Sequence, residues 1–355
     1  MCTIAGYIGN QAAAPILFEM LSRQEGLVGG FYTGIATLHE GRLYYEKVVG
    51  DSGVLLKETQ ALQLPGTIGI IHTRTASGGG REWAHPFIDA KEELAYIANG
   101  SVGKYENDSC LAAAAIELEK AGCCLKSAQL TPVDTYPSLA DGRYVHFSDI
   151  MCQTIAEAYF SLADESNRLR RAATKAYERY PGELVGLCLH ARHPDEIVAV
   201  RHNKPIEIGF DHKGNVFMAS TRLAFPENIV WQMRLPAMTG ASVRRDASVE
   251  LDSFTGKLLR VGPYPSSVAI VRELIGFMEK HGPCNIEQLF AAVIPLWPDG
   301  TLVEKETVVF DLLASLFREG RLEFDIRRRP GMEGRGTVPW TWVMLKEASG
   351  KNSNQ

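Results

Sequence analysis

The sequence predicts an α+β protein in which a large N-terminal domain is followed by a small, separate C-terminal domain. In the first part of the chain, runs that alternate apolar and polar residues are interspersed with runs of helical spacing. The composition changes at VGPYPSS, residues 261–267. Beyond it, three helical runs precede two strand-like runs, which is the order of a winged-helix domain. We therefore expect domains at 2–260 and 261–346, and a disordered tail at 347–355.

The elements of the N-terminal domain follow in chain order. TIAGYIG alternates as a buried strand does, and PILFEMLSRQ has helical spacing with Pro15 near its start, where proline is tolerated. Turns at 39–41 and 89–91 each join two strands into a hairpin. Ser148 or Asp149 is the expected N-cap of the helix that starts near SDIM. Further helices are expected over CLAAAAIELEKAG, SDIMCQTIAEAYFSLA and NRLRRAATKAYERY, and further strands over TIGIIHTRT, ELVGLCLHAR, EIVAVRHNKPIEIGF and NVFMAS.

The C-terminal domain is expected to dock a protein partner rather than a nucleic acid. Residues 262–346 contain ten basic and eleven acidic residues, and the expected recognition helix KETVVFDLLASLFREG is not basic. Nonspecific binding to a duplex depends mainly on cationic contacts to phosphate. The expected helices are SVAIVRELIGFMEKHG, NIEQLFAAVI and KETVVFDLLASLFREG, the expected strands are RLEFDI and TVPWTWVML, and Arg327, Arg328, Arg329 and Arg335 form a cationic hairpin tip between them.

Composition excludes several classes of protein. The chain has 355 residues, 45% of them hydrophobic, and a formal net charge of −5, which gives no reason to expect a polyanionic partner. No apolar run approaches the roughly 18 residues that cross a bilayer, and the start MCTIAGYIGN does not resemble a signal peptide. Seven cysteines without a CxxC pair suggest neither a disulfide framework nor a zinc site. We expect a cytoplasmic protein without a membrane segment, a metal or a cofactor.

Cys2, directly behind the initiator methionine, is the candidate nucleophile. Removal of Met1, which a small second residue usually permits, would place a thiol and a free α-amino group on one residue. The unperturbed pKa values are near 8 for the amine and about 8.5 for the thiol. The amine can therefore take the thiol proton and later return it to a departing amine.

Three further segments carry a resemblance to a known family. They are IIHTRTASGGGREWAHPF, IANGSVGKYE and ELVGLCLHARHPDEIVAVRHNKPIEIGF. Together with Cys2 they resemble the class II glutamine amidotransferases, which belong to the N-terminal-nucleophile hydrolases. Within that class the glutaminase domain of glucosamine-6-phosphate synthase is the most similar. The resemblance covers about residues 2–235 and implies a four-layer αββα sandwich, two stacked sheets flanked by helices.

The resemblance also implies roles around the carboxylate of the substrate, L-glutamine. Arg74 would grip the α-carboxylate with its planar, permanently charged guanidinium. Ser77 would contact glutamine from the same segment, and Gly78 to Gly80 would form a loop that closes over it. His72 and His85 are interpreted as structural histidines that tie loops together.

The remaining implied roles concern the amide and the ammonium of glutamine. Asn99 and Gly100 would supply the oxyanion hole, with the geometry of an Asn-Gly turn aiming the donors at the oxygen that becomes negative. Asp149 would hold the α-ammonium group, and Asp141 is the alternative on the same stretch of chain.

Three departures from the family pattern bear on affinity. Thr75 stands where the family commonly has tryptophan, which removes an aromatic wall. Gly78 stands where a histidine is usual and loosens the loop, and Ala98 replaces the histidine that precedes Asn-Gly. The nucleophile, the carboxylate grip and the oxyanion donors remain.

Three functions stay open on the sequence alone. The first is an enzyme in which Cys2 releases ammonia from L-glutamine through a thioester. The second is a catalytically weak glutamine-binding regulatory protein that acts through its C-terminal domain, and the third is an N-terminal-cysteine amidohydrolase for another amide. Arg74 favours an α-amino-acid substrate over the third. In the similar synthase, two isomerase domains receive the ammonia, and residues 236–355 are too few for them, so we expect a separate ammonia-accepting synthase subunit as a partner.

Overall fold

A computed structural model of the chain describes residues 2–101, 108–133, 136, 138–255, 265–297 and 304–346. The strands are β1 (Thr3–Ile8), β2 (Tyr32–His39), β3 (Arg42–Val49), β4 (Ile68–Arg74), β5 (Phe87–Ile88), β6 (Leu94–Ser101), β7 (Glu183–His190), β8 (Glu196–Arg201), β9 (Glu207–Asp211), β10 (Val216–Ala219), β11 (Ile229–Arg234), β12 (Thr239–Arg244), β13 (Val249–Ser253), β14 (Cys284–Asn285), β15 (Leu322–Pro330) and β16 (Thr337–Leu345). The α-helices are α1 (Ala13–Ser22), α2 (Ser52–Glu58), α3 (Asp108–Lys120), α4 (Phe147–Ser161), α5 (Arg168–Arg179), α6 (Ser267–His281), α7 (Ile286–Val293) and α8 (Lys305–Arg318).

Two antiparallel sheets pack face to face in the N-terminal region, residues 2–255. The first has seven strands in the order β11-β9-β10-β1-β4-β2-β3, and the second has six in the order β13-β12-β8-β7-β6-β5. Alternate residues of the facing strands, among them Ile4, Ile70, Ile97 and Leu187, form one buried cluster between the sheets. This interleaved core fixes which side chains point between the sheets and which point outward.

Helices cover both outer faces of the sheet pair. Helix α1 packs on the seven-stranded sheet, where Leu17 and Leu21 join Tyr7 and Ile71 in a second cluster. Helices α3, α4 and α5 pack on the six-stranded sheet and contribute most of a third cluster. The N-terminal region is thus a mixed α/β structure with its two sheets in the middle and helices on either side.

The C-terminal region, residues 265–346, contains helices α6, α7 and α8 and a three-stranded sheet of order β14-β16-β15. Its buried core includes Leu27 and Val28, which come from the loop between α1 and β2 of the N-terminal region. The backbone N–H of Thr341 donates a hydrogen bond to the carbonyl of Gly26 at 2.8 Å. The two regions therefore share apolar core and backbone hydrogen bonds.

Most of the predicted elements are confirmed, and three predictions need correction. The run at 196–210 forms two strands, β8 and β9, rather than one. Helix α2 and the strands β11, β12, β13 and β14 were not predicted. Helix α4 begins at Phe147 and its cap is His146, whose Nδ1 accepts a hydrogen bond from the Ser148 N–H at 3.0 Å, so neither Ser148 nor Asp149 is the N-cap.

The predicted boundary near 261 lies within residues 256–264, and the predicted tail is residues 347–355. Both lie outside the described residues, so the division into domains stays a prediction. Within the described parts of the chain, no helix combines the length and the apolar character needed to cross a bilayer.

Candidate active site

The register of β1 against β4 brings Cys2 and Arg74 to the same end of the sheet pair. Thr3 lies opposite Thr73 and Ile4 opposite His72, so the antiparallel pairing continued by one residue sets Cys2 across from Arg74. Side chains alternate along a strand, and Ile4 points into the core between the sheets. The Cys2 side chain therefore points towards the space between the two sheets.

Cys2 is a half-buried thiol outside any disulfide, and it lines a cavity of about 350 Å³. Its Sγ lies 4.0 Å from Oγ1 of Thr75, one of the residues that depart from the family pattern. The cavity is lined by Cys2, Arg74, Thr75, Ser77, His85, Ala98, Gly100, Tyr136, His146, Phe147, Glu183, Lys204 and Glu306. A thiol, a permanent cation and a strand-end glycine thus line one small cavity.

The guanidinium of Arg74 is 1% exposed and is held by neutral acceptors. Its Nη1 donates to the carbonyl oxygens of Gly78 at 2.9 Å and Trp83 at 3.2 Å, and its Nη2 donates to the Tyr136 hydroxyl at 3.0 Å. The Tyr32 ring lies 4.7 Å from Cζ. Among the residues that the structure describes, no carboxylate pairs with Arg74. A buried cation without an anion has the capacity to bind one.

The pair Asn99 and Gly100 does not form the predicted turn. Both residues lie at the end of strand β6, where Asn99 pairs with Val185 and Gly100 with Leu184 of β7. Gly100 has φ +106°, and a Cβ at this position would come within 1.7 Å of the Glu183 carbonyl oxygen. Glycine is thus required here by conformation and by space. Gly100 lines the cavity, whereas Asn99 is not among the lining residues.

Ser220 positions Asn99 and was missed by the sequence analysis. Its Oγ accepts hydrogen bonds from the Asn99 side-chain amide at 2.9 Å and from the Ile4 N–H at 3.0 Å. The Ser220 hydroxyl therefore links Asn99, the predicted oxyanion donor, to strand β1, which directly follows Cys2. The signal available in the sequence was the position of Ser220 directly after the strand VFMA. Continued alternation along that strand points its side chain between the two sheets.

His72, His85 and His146 form a buried group of neutral rings beside Arg74. The ring centroids of His72 and His85 lie 3.9 Å apart, and those of His85 and His146 lie 5.3 Å apart. Burial lowers the pKa of His72 to about 3 and holds the pKa of His85 and His146 well below the usual value. Nε2 of His72 contacts the Ala98 carbonyl at 3.0 Å, so this ring ties β4 to β6.

Because these histidines are buried in the neutral form, we expect acid to destabilise the fold. In five histidines, burial lowers the folded-state pKa, so between pH 6.5 and the folded pKa values the unfolded chain binds more protons. Glu25, with a pKa raised to about 7, and Asp149, also raised by burial, oppose part of this uptake. The free energy of unfolding should fall below pH 6.5, by about 1.4 kcal/mol per pH unit for each net proton. The five are His72, His85, His146, His190 and His202.

Chemical denaturation at pH 7.5, 6.5 and 5.5 measures this slope. The variant His190→Asn, outside the cavity, should reduce the slope without changing its sign. A free energy of unfolding that stays constant from pH 6.5 to 5.5 would contradict the burial of neutral histidines.

The structure does not bring Asp149 to the cavity. Its Oδ2 accepts hydrogen bonds from the N–H and the Oγ of Ser127, both at 2.8 Å, and its Oδ1 accepts one from Gln153 at 3.3 Å. Asp141, the alternative, is exposed and pairs with Arg143. Ser77, whose contact with the substrate stays a prediction, does line the cavity. The ammonium-binding role of Asp149 or Asp141 stays a prediction that this geometry does not favour.

The acidic groups that line the cavity come from unexpected places. They are Glu183 at the start of β7 and Glu306 in the first turn of α8, with Lys204 between them. Lys204 Nζ lies 3.0 Å from Glu306 Oε1 and 3.6 Å from Glu183 Oε2. Glu306 lies about a hundred residues after Lys204 in the sequence, and no local sequence pattern indicates a contact between them.

The chain is similar to two curated relatives, each called glutamine–fructose-6-phosphate aminotransferase [isomerizing]. The relative from Thermosynechococcus vestitus is 31% identical over 268 residues, which make up 74% of this chain and 38% of the relative. The relative from Gloeobacter violaceus is 33% identical over 266 residues, 74% of this chain and 39% of the relative. The chain thus spans well under half the length of these relatives. No family model matches it.

Two solved structures share the fold. Glutamine phosphoribosylpyrophosphate amidotransferase from B. subtilis has a TM-score of 0.54 at 18% identity, covering 73% of this chain and 50% of its own. A structure of the allosteric regulatory enzyme of purine biosynthesis has a TM-score of 0.56 at 16% identity, covering 87% of this chain and 63% of its own.

Proposed function

We propose that this chain, which carries a class II glutamine amidotransferase domain of the N-terminal-nucleophile type, releases ammonia from L-glutamine through a thioester on Cys2. The observation that supports this most directly is the shared cavity of Cys2, Arg74 and Gly100. It combines a thiol, a buried cation without a carboxylate partner among the described residues, and a backbone N–H at a strand end.

The proposed reaction begins once Met1 has been removed. The free amine of Cys2 takes the thiol proton, and the thiolate attacks the amide carbon of glutamine. The amide oxygen takes the negative charge and receives hydrogen bonds from Asn99 and Gly100. The Cys2 ammonium returns the proton to the nitrogen, the C–N bond breaks, and ammonia leaves. Water then cleaves the thioester to give L-glutamate and the thiol.

Arg74 holds the α-carboxylate of glutamine in this proposal. Its guanidinium is fixed by two backbone carbonyls and lies among aromatic rings, so it loses little freedom on binding an anion. The third function considered, an amidohydrolase for another acyl group, would leave this buried cation unpaired.

The ammonia acceptor is proposed to be a separate protein. The relatives extend well beyond the region that they share with this chain, and residues 265–297 and 304–346 of this chain form α6, α7, α8 and the three-stranded sheet. A synthase subunit supplied by another chain would receive the ammonia.

The C-terminal region is proposed to be a winged-helix-like domain used for protein contacts. Its helices α6, α7 and α8 and the hairpin β15–β16 support this assignment. Arg328 pairs with Asp51 at 2.9 Å, and the Arg329 guanidinium lies 4.8 Å from the Phe31 ring. Two arginines of the cationic wing thus contact the N-terminal region, which favours protein docking over nucleic acid.

A catalytically weak regulatory protein is the second candidate. Glu306, on the first turn of helix α8, lines the same cavity as Cys2, so glutamine bound there would contact both regions. Such a contact would let the C-terminal region respond to glutamine even if turnover were slow.

An electrophilic analogue of glutamine tests the proposed enzyme. Intact mass should show that Met1 is absent, and peptide mapping should place the label on Cys2 and on none of the other six cysteines. Ammonia release from glutamine, measured on the same preparation, should be abolished in proportion to labelling. A protein that neither reacts with the analogue nor releases ammonia from glutamine would contradict the proposed enzyme and favour the regulatory function.

A further inference from the structure

A second cavity lies between the N-terminal and C-terminal regions, apart from the one that Cys2 lines. Its volume is about 1050 Å³, against about 350 Å³ for the Cys2 cavity, and the two share no lining residue. Strand β11 and the end of helix α8 both contribute to it, so a ligand bound there would contact both regions. We call it the junction cavity, and its lining includes Arg222, Val230, Trp231, Phe317, Arg318 and Ile326.

Large apolar side chains that folding leaves exposed meet in the junction cavity. From the N-terminal region, Val230 is 49% exposed and Trp231 is 53% exposed. From the C-terminal region, Phe317 is 41% exposed and Ile326 is 61% exposed, and the Phe317 ring stacks on that of Phe324 with 4.7 Å between the centroids. Exposed apolar side chains gathered on one concave surface are typical of a binding site, and a cavity between two regions is a common place for a small molecule.

Arg318 brings a positive charge without an anion into this cavity. Among the residues that the structure describes, its guanidinium has neither an ion pair nor a hydrogen bond. Arg222 lines the same cavity, and its Nη2 donates to the Asp311 carbonyl at 3.0 Å and to the Ser315 hydroxyl at 3.1 Å. Partial burial and, after it, the positive charge of Arg222 lower the pKa of Arg318. An anion bound beside both guanidinium groups would favour their charged form.

The ion pairs around Arg222 leave this positive charge uncompensated. Asp311 is shared, because its carboxylate lies 3.5 Å from Arg222 Nε and also pairs with Arg234. The other carboxylate that pairs with Arg234 is that of Glu207, at 3.0 Å. Within the described parts of the chain, the three guanidinium groups of Arg222, Arg234 and Arg318 therefore meet two carboxylates.

Two further acids line the cavity, and in the described part of the chain neither pairs with Arg222 or Arg318. Glu25 is buried, and its carboxylate oxygens accept hydrogen bonds from the N–H and the hydroxyl of Ser52. Burial raises the pKa of Glu25 to about 7, so much of this group is neutral at pH 7. Glu227 is exposed to water, where salt screens its charge. The two guanidinium groups are thus open to an anion from outside.

We infer that the junction cavity binds a small organic anion with a flat apolar body. Arg222 and Arg318 hold the anionic group, a carboxylate, a sulfonate or a phosphate, because the planar guanidinium fork suits such oxyanions. Trp231 and Phe317 pack against the apolar body and cover surface that is otherwise exposed. The inference does not depend on the chemistry of Cys2.

Two fluorescent probes that differ by one anionic group test this inference. They are 8-anilinonaphthalene-1-sulfonate and N-phenyl-1-naphthylamine, which has the same rings without the sulfonate. Arg318→Gln should raise the Kd of the sulfonate about 10-fold and leave that of the neutral probe unchanged, because it removes the cation and keeps the apolar wall. Arg321→Gln is the matched control, since Arg321 is exposed, pairs with Glu319 and does not line the cavity. It should bind both probes as the wild type does.

Phe317→Ala tests the apolar wall of the junction cavity. It should raise the Kd of both probes about fivefold or more, because both rest their rings on the same side chain. Thermal unfolding of each variant should stay cooperative, which shows that the probes report on folded protein. Labelling of Cys2 with the electrophilic glutamine analogue should leave both Kd values unchanged, because the two cavities share no lining residue.

Three results would overturn the inference. They are equal Kd values for the sulfonate in Arg318→Gln and Arg321→Gln, a wild type that binds no sulfonate at a saturable site, and loss of the probe when Cys2 is labelled. A protein that does not react with the glutamine analogue, yet shows the expected dependence on Arg318, would contradict the proposed enzyme and support the junction cavity as an anion site.

Discussion

Replacing Cys2 with alanine should reduce glutamine-dependent ammonia release by about 10⁴-fold or more, because the thioester route ends without the sulfur. The fold should not change, since the thiol is half-buried and its nearest polar contact is the Thr75 hydroxyl at 4.0 Å. The measurement is steady-state ammonia release, together with intact mass after rapid quenching. The wild type should show a covalent glutamyl adduct that the variant lacks.

Cys124→Ala is the control for this experiment. Cys124 is an exposed free cysteine that does not line the cavity, and its loss should leave ammonia release unchanged. Ammonia release by Cys2→Ala at the rate of the control variant would eliminate the proposed nucleophile.

Replacing Arg74 with glutamine should lower kcat/KM for glutamine by about 10³-fold, the loss expected when one partner of a buried charge pair is removed. Arg74 also supports the loop that follows it, through its hydrogen bond to the Gly78 carbonyl. A substrate without the carboxylate separates these two effects. The slow hydrolysis of 4-aminobutanamide should be nearly the same in the wild type and the variant, because this amide has no anion for the guanidinium to bind.

Arg81→Gln is the matched control, since Arg81 follows in the same loop segment and its side chain is largely exposed. It should keep the kinetics of the wild type for both amides. Thermal midpoints should show that both variants are folded. If Arg74→Gln lost the activity on 4-aminobutanamide as severely as that on glutamine, the arginine would support the loop and not the carboxylate.

Much of the N-terminal fold could be predicted because its central strands show clear patterns. The strands β1, β4 and β7 are buried along their whole length, and their apolar runs end at turns. The last three strands of that region lack this signal. Strand β12 is TGASVR, where small residues allow close contact with helix α5, as Gly240 shows by lying against Thr174. Strands β11 and β13 lie at sheet edges with much of their surface exposed.

The candidate site, too, was predictable only where a local sequence pattern marks the residue. Cys2 and Arg74 follow from recognisable segments, and strand register then brings them together. The Asn99–Gly100 pair is a strong turn signal, but pairing with β7 overrides it. The contacts of Ser220 and Glu306 depend on how distant segments pack, which no local pattern records.

The packing of Leu27 and Val28 limits how the C-terminal region can be exchanged in evolution. They sit in the core of the C-terminal region although they belong to the loop after α1, and Gly26 supplies the carbonyl that receives the Thr341 N–H. A descendant that exchanged residues 265–346 for another module would leave these two aliphatic side chains open to water. The lost burial would lower the free energy of unfolding, so we expect that such an exchange would succeed more readily with a module that covers Leu27 and Val28 again.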